Sequence, residues 1–311
     1  MRRLIPLSAI PLLLSVAACS AGGPDLTAHP DVPLPMVTTG KAFGEEPTLD
    51  RGKGDPPKKL MTTVLSKGSG PVLAKGDPFE VNYIAQEWTK DKPYENTYDV
   101  KIPFSETIGT GDLIAGWDQG LVGQKVGSRI EMVIPPELGY GEMGQAGVSE
   151  GATLVFVIDI VKGAAVPSSA KGTKVAKDDP GLPTVGTNTD GKEPDLEVPR
   201  TREAPKHLLS KYVLEGDGPV VRKTDTAVVN LVGRVWVTNA EFDSSYDRGK
   251  VRVMPLSQVT IKGMTDGLVG KKVGSRVLLV IPPGQALGDG ESPLIPKNST
   301  LVFSIDILAT M

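Results

Sequence analysis

Two histidines and one cysteine are all the imidazole and thiol chemistry that this 311-residue chain offers. A zinc site needs about four such ligands, and a histidine-based triad needs a base beside its nucleophile, so both are disfavoured. Hydrolytic and redox functions fall with them, and no metal or cofactor is expected. Net charge is −3, from 34 basic and 37 acidic residues, which leaves no basic footprint for nucleic acid. Three residues stand in more distinctive settings. Trp117 lies in Gly-Trp-Asp-x-Gly-Leu, Tyr140 in Pro-Pro-x-x-x-Tyr-Gly, and Cys19 ends an apolar run. An aromatic ring in a small β-rich domain is ordinarily core, so the first two must be weighed with their surroundings.

Those surroundings are written twice. Gly120-Leu121-Val122-Gly123-Gln124-Lys125-Val126-Gly127-Ser128-Arg129 returns 147 residues later with one change, Gln124 to Lys271. Ile134-Pro135-Pro136 returns as Ile281-Pro282-Pro283 in the same register, and Thr153 to Ile160 returns as Thr300 to Ile307 with one change. Three blocks at one offset mean a duplicated domain, in keeping with a length that allows about two. The period is too long for a solenoid or propeller unit.

Within copy one, Val81-Asn82-Tyr83-Ile84-Ala85 reads as a strand after the turn Lys75-Gly76-Asp77-Pro78. Arg129 to Ile134 alternates polar and apolar residues until Pro135-Pro136 stops it, and Leu154 to Ile160 is nearly all apolar. Between them, Asp112 is placed to cap one or two helical turns that Gly120 would end. Several antiparallel strands with one short helix make an α+β domain. Lys271 and Lys272 read as solvated surface charge.

The start of the chain reads as an address. Arg2 and Arg3 precede an apolar run of 15 residues, Leu4 to Ala18, shorter than the ~20 needed to span a membrane. Val16-Ala17-Ala18-Cys19 resembles the bacterial lipobox, which implies lipid on Cys19 and an exported, extracytoplasmic protein anchored to the bacterial cell membrane. The expected organisation is a lipoprotein leader over 1–19, a flexible tether over 20–60, copy one over 61–163, a polar linker over 164–206 and copy two over 207–311.

Ile114-x-Gly116-Trp117-Asp118-x-Gly120-Leu121, Val126-Gly127-x-Arg129, Ile134-Pro135-Pro136, Tyr140-Gly141 and Ala152-Thr153-Leu154-x-Phe156 together resemble the FKBP-type peptidyl-prolyl isomerases. The resemblance covers roughly 100 residues of each copy, and the order and spacing of its pieces carry it. It implies two tandem α+β domains, each a twisted antiparallel sheet wrapped over a short helix, with a shallow apolar pocket between sheet and helix. It also implies cis–trans rotation about the bond preceding proline, proline-containing polypeptides as substrates, and a macrolide as a possible pocket ligand. Carried over residue by residue, Tyr83, Tyr94, Phe104, Trp117 and Phe156 supply aromatic walls, with Trp117 as the floor. Leu113 and Ile114 form the aliphatic pair, with the Ile114 N–H as a donor, Tyr140 offers a hydroxyl, and Val148 lies at the rim.

Two departures stand out in copy one: Glu95 replaces the family's pocket aspartate, and Val100 replaces the arginine that supports it. Copy two reverses the pattern. Phe242, Asp243 and Arg248 match the aspartate–arginine segment, whereas Met264, Leu231 and Leu287 stand at the Trp117, Tyr83 and Tyr140 positions, and Val251 near that of Phe104. Asp243 and Arg248 fit a structural ion pair as well as a ligand contact. Copy one is therefore expected to be the enzyme and copy two a degenerate pocket. The competing reading is a non-catalytic peptide-binding chaperone in which both copies hold polypeptide.

Overall fold

The computed structural model describes residues 37–145, 147–175, 179–199, 203–288 and 294–311. Cys19, the leader and the first part of the tether lie outside the described residues.

Copy one opens with a small hairpin, β1 (Val37–Thr39) and β2 (Thr48–Leu49). There follow β3 (Met61–Ser66), β4 (Pro78–Glu87), β5 (Pro93–Asn96), a single turn α1 (Thr97–Val100), β6 (Phe104–Thr107), α2 (Ala115–Gly120), β7 (Arg129–Ile134) and β8 (Leu154–Gly163). The sheet runs β3-β7-β8-β4-β5, with β6 paired to the start of β4 and every pairing antiparallel. Helix α2 lies across one face, where Trp117 and Leu121 join Tyr83, Ile130, Met132 and Phe156 in the main core. Two glycines set its closeness. A Cβ on Gly116 would stand 2.4 Å from Ile134, and one on Gly120 would stand 2.4 Å from the Met132 sulfur.

Copy two repeats the plan. It has β9 (Thr173–Lys174), a hairpin of β10 (Thr184–Val185) and β11 (Leu196–Glu197), then β12 (Leu209–Glu215), β13 (Thr226–Val235), β14 (Glu241–Ser244), β15 (Arg252–Pro255), α3 (Lys262–Leu268), β16 (Arg276–Ile281) and β17 (Leu301–Thr310). Its sheet order is β14-β13-β17-β16-β12-β9, with β15 on β13. Strand β9 covers the β12 edge that would otherwise present unpaired backbone.

The tether and linker expectations need correction. Residues 37–60 form a strap across the outer face of the first sheet, burying Val37 and Leu49 with Trp88, Val133, Val155 and Val157. The linker does the same on the second sheet, where Leu196 and Val198 pack with Val232, Trp236, Leu278 and Val302. Each strap ends on a buried ion pair. The Arg129 guanidinium donates to both Asp159 oxygens at 2.6 and 2.7 Å, to the Glu45 carbonyl at 2.6 Å and to the Gly40 carbonyl. The Gly44 N–H and the Tyr98 hydroxyl donate to Asp159 in turn. In copy two Arg276 grips Asp306 and donates to the Gly186 carbonyl at 2.7 Å, while the Ala170 N–H donates to Asp306. Two charges with side chains 0–1% exposed are tolerated because their hydrogen-bonding capacity is filled largely by strap backbone.

Strand β7 is buried along both faces for the same reason. Its alternation of Arg129, Glu131 and Val133 with apolar residues marks a face covered by the strap, with no residue of the strand left to solvent.

The two copies touch. Strand β6 lies beside β15, and Lys250 forms an ion pair with Asp112 across the gap.

Candidate functional site

The loop before α2 is positioned by the helix itself. Asp118, in the first turn, accepts from the Gly109 N–H at 2.7 Å and the Gly111 N–H at 3.0 Å. Asp112, expected to cap α2, instead accepts from Thr110 and pairs with Lys250, while the N-cap position is Ile114, which has no side-chain cap. Ile114 is extended (φ −58°, ψ 142°), and its N–H makes no hydrogen bond among the described residues. An N-terminal helix donor left open beside a pit is available to a carbonyl from outside.

Inside the pit, the predicted aromatic set comes together around Trp117, which is 4% exposed. Its ring meets Tyr83 at 5.0 Å, Phe156 at 5.3 Å and Phe104 at 5.7 Å, all close to perpendicular. Such edge-to-face contacts hold rings rigidly. Tyr94 stands edge-on to Phe156 at 6.5 Å. The Trp117 indole N–H and the Tyr94 hydroxyl are buried without a partner. Leu113, Tyr140 and Val148 are half-buried against the same core. The Tyr140 hydroxyl makes no hydrogen bond among the described residues, and Val148 shares a surface depression with Tyr94.

Glu95 lies near Tyr83 and Tyr140, and Val100, which stands where the resemblance places an arginine, is exposed. Burial chiefly, and then the neighbouring Glu95 carboxylate, push Tyr83 above the ordinary phenol range. Tyr140 is raised by burial and by Glu95 as well. Both phenols therefore stay protonated as donors at neutral pH. Among the described residues, the site holds no thiol, imidazole or paired carboxylates. It can clasp an apolar ring and donate to carbonyls.

In copy two the corresponding space persists as a cavity of about 370 Å³. Met264 lies at its base with Ile261 and Phe303, and Phe242 meets Phe303 edge-on at 5.4 Å. Strand pairing corrects the equivalent of Phe104. Phe104 opposes Val81 and Arg252 opposes Val229, while Val81 and Val229 oppose the equivalent residues Ile160 and Ile307, so the position is Arg252 rather than Val251. Asp243 accepts from Arg248 at 2.7 Å and from Arg252, a carboxylate saturated by its own domain. The Asp118 role is gone too, since Thr265 stands there and donates to the Leu256 carbonyl. Lys271 is not simple surface charge: it is half-buried over the Tyr212 ring and donates to the Ser210 carbonyl.

Asp118 and the strap contacts are the functional elements that sequence reasoning left out. Asp118 lies within the Gly-Trp-Asp-x-Gly-Leu motif, and the signal for its role is an acid preceded by glycines at 109 and 111. A second signal, for the straps, was the recurrence of Gly44-x-Glu46-Pro47-x-Leu49 as Gly191-x-Glu193-Pro194-x-Leu196, again 147 residues on.

Comparison with known proteins gives two matches to one family model, described as FKBP-type peptidyl-prolyl cis-trans isomerase, over residues 70–161 and 218–308. An FK506-binding protein of Streptomyces anulatus is 36% identical over 119 residues, covering 38% of this chain and 96% of that protein. The FKBP-type isomerase FkpA of Escherichia coli K12 is 43% identical over 101 residues, 32% of this chain and 37% of the relative. The crystal structure of FkpA from Escherichia coli matches 36% of this chain and 53% of that one at 32% identity, with a TM-score of 0.32.

Proposed function

The chain belongs to the FKBP-type peptidyl-prolyl cis-trans isomerase family, and from that premise we propose that copy one catalyses prolyl isomerisation in exported proteins while copy two does not. The observation that carries the reading is the perpendicular cage of Tyr83, Phe104 and Phe156 around Trp117, which copy two lacks.

Rotation about an amide meets a barrier of ~18–20 kcal/mol because the twisted state loses resonance. The twisted amide is also less charge-separated than the planar one. Water stabilises the planar form better, and a dry aromatic pit removes that advantage. The proline ring would sit on Trp117 between Tyr83, Phe104 and Phe156. The Ile114 N–H would hold one carbonyl, and the Tyr140 hydroxyl a second acceptor. Asp118 would act as a positioning residue, holding the 109–111 loop that leads into Ile114. Every 1.36 kcal/mol of preference for the twisted form gives about tenfold in rate, so no nucleophile is needed. X–Pro bonds isomerise over tens to hundreds of seconds unaided, long enough to limit folding.

The leader and Cys19 support an extracytoplasmic, lipid-anchored location for this activity. Relatives described as FK506-binding proteins support a macrolide as a ligand of the copy-one pocket. In a proline-peptide isomerisation assay on the chain from Val37, Trp117→Leu is expected to lose about tenfold or more in kcat/KM, and Tyr140→Phe a few-fold. Full turnover by Trp117→Leu would remove the cage from the mechanism. Undetectable turnover by the unaltered chain, with aggregation of unfolded clients still suppressed, would favour the chaperone reading.

A further inference from the structure

Copy two keeps an open groove where copy one has its cage, and an apolar groove that water enters leaves hydrophobic surface for a ligand to bury. Copy two lost an indole, two tyrosines and a phenylalanine, yet keeps about 370 Å³ of space whose apolar lining is Phe242, Val253, Met254, Val259, Ile261, Met264 and Phe303. What remains differs in kind from the copy-one cage. Two thioethers and three branched aliphatic side chains stand beside the two remaining rings, Phe242 and Phe303, and unbranched Met adapts to ligands of varied shape. The residue before α3, Ile261, is extended (φ −78°, ψ 94°), and its N–H makes no hydrogen bond among the described residues. The pocket therefore lacks the features that suit a proline ring.

The location of this pocket supplies the second observation. Its wall strand β15 lies against β6, which carries Phe104 of the copy-one cage. Lys250 of copy two pairs with Asp112, adjacent to Leu113 and Ile114. The two pockets are therefore bordered by one shared seam.

Resting on the reading of copy one as the isomerase, we propose that copy two is an anchoring site for a bulky aliphatic side chain (Leu, Ile or Met) of the same polypeptide whose prolyl bond lies in copy one. The aliphatic lining selects the side chain, and the open Ile261 N–H takes a neighbouring carbonyl. The shared seam makes the second contact intramolecular, so its effective concentration depends on the spacing of the two anchors along the client.

The test uses the full chain and fluorescein-labelled peptides with one Ala-Pro bond and either Leu or Ser placed roughly two to eight residues away, on either side. Affinity is read by fluorescence polarisation and isomerisation by coupled kinetics. The Leu peptides are expected to bind about tenfold or more tighter than their Ser counterparts, with a maximum at one spacing and a matching fall in KM. Val259→Asp is expected to abolish the Leu-over-Ser ratio. Because a misfolded copy two would do the same, the spacing optimum in the unaltered chain is the decisive measurement. Equal affinity of Leu and Ser peptides at every spacing, with isomerisation intact, overturns the anchor and leaves the catalytic reading standing. A Leu advantage that survives Val259→Asp, or that ignores spacing, also overturns it. Absence of isomerisation in the unaltered chain is the separate failure of the catalytic reading.

Discussion

Glu131 shows how a single side chain can carry a cost that the fold accepts. It lies on β7 beneath the first strap, 3% exposed, and one of its carboxylate oxygens has no hydrogen-bond partner. Burial alone pushes it up to about 8, far above the usual carboxylate range. Its folded state therefore holds a proton that the unfolded chain releases above about pH 4.5. The contribution to stability is fully present below that pH and is lost as pH rises through about 8. Glu131→Gln should remove this slope. Thermal melts of the two proteins should coincide near pH 4 and separate by pH 8, the variant being more stable by about 4 kcal/mol. Parallel melts across that range would show that Glu131 does not hold its proton. In copy two the position is Leu278, which needs no proton. Residue identities at the site were largely legible, because Tyr83, Trp117, Tyr140 and Phe156 sit in spaced motifs. What escaped were properties set by packing: the partnerless indole N–H, the approach of Glu95 to Tyr83, and the double grip on Asp243. Each depends on which side chains meet across elements far apart in sequence.

Among the elements, the straps most changed the sequence reading. The strands were predictable from alternation and Pro-Pro stops, but a strap has no such periodicity. It contributes isolated apolar residues such as Val37, Leu49 and Leu196, with hydrogen bonds made by backbone carbonyls, and a polar, Pro- and Gly-rich composition hides both. The clue available in the sequence was the outer face of each sheet. Val133, Val155 and Val157 on one copy and Leu278, Val280 and Val302 on the other are too apolar for a solvated surface. The straps make a prediction about boundaries. A chain beginning at Met61 keeps the whole first sheet but strips Arg129 of the Gly40 and Glu45 carbonyls and uncovers Trp88, whose indole N–H donates to the Gly54 carbonyl. Breaking into a buried charged cluster costs about 3–5 kcal/mol where a partner is lost outright. The 61–311 chain should therefore melt well below the 37–311 chain, with its tryptophan emission shifted to the red. Equal melting temperatures would make the strap a passenger.

At the scale of the molecule, the repeat of 147 residues carries strap and domain together, since Gly44 to Leu49 of the first strap recurs at that offset as Gly191 to Leu196 of the second. On the proposed lipid anchor, only residues 20–36 separate Cys19 from the first strap, at most about 60 Å of extended chain. Copy one would thus work close to the membrane, and Cys19→Ser should move the protein from the membrane fraction to the soluble fraction, whereas unchanged fractionation would remove the anchor. The relation of the two copies to each other rests on a weaker contact. The seam between β6 and β15 is short, and its ion pair, Lys250 to Asp112, is partly exposed at 20% and 40%. Pairs of this kind contribute about 0–1 kcal/mol and are screened by salt, the Debye length falling from about 10 Å at 0.1 M to about 3 Å at 1 M. A contact of that strength holds one arrangement without locking it. Small-angle scattering should accordingly report a larger radius of gyration at 1 M than at 0.1 M salt. Lys250→Glu should produce the expanded form already at 0.1 M, and pairing it with Asp112→Lys should restore the compact one. A radius that ignores both salt and charge reversal would mean that the apolar edges of β6 and β15 alone fix the two copies together.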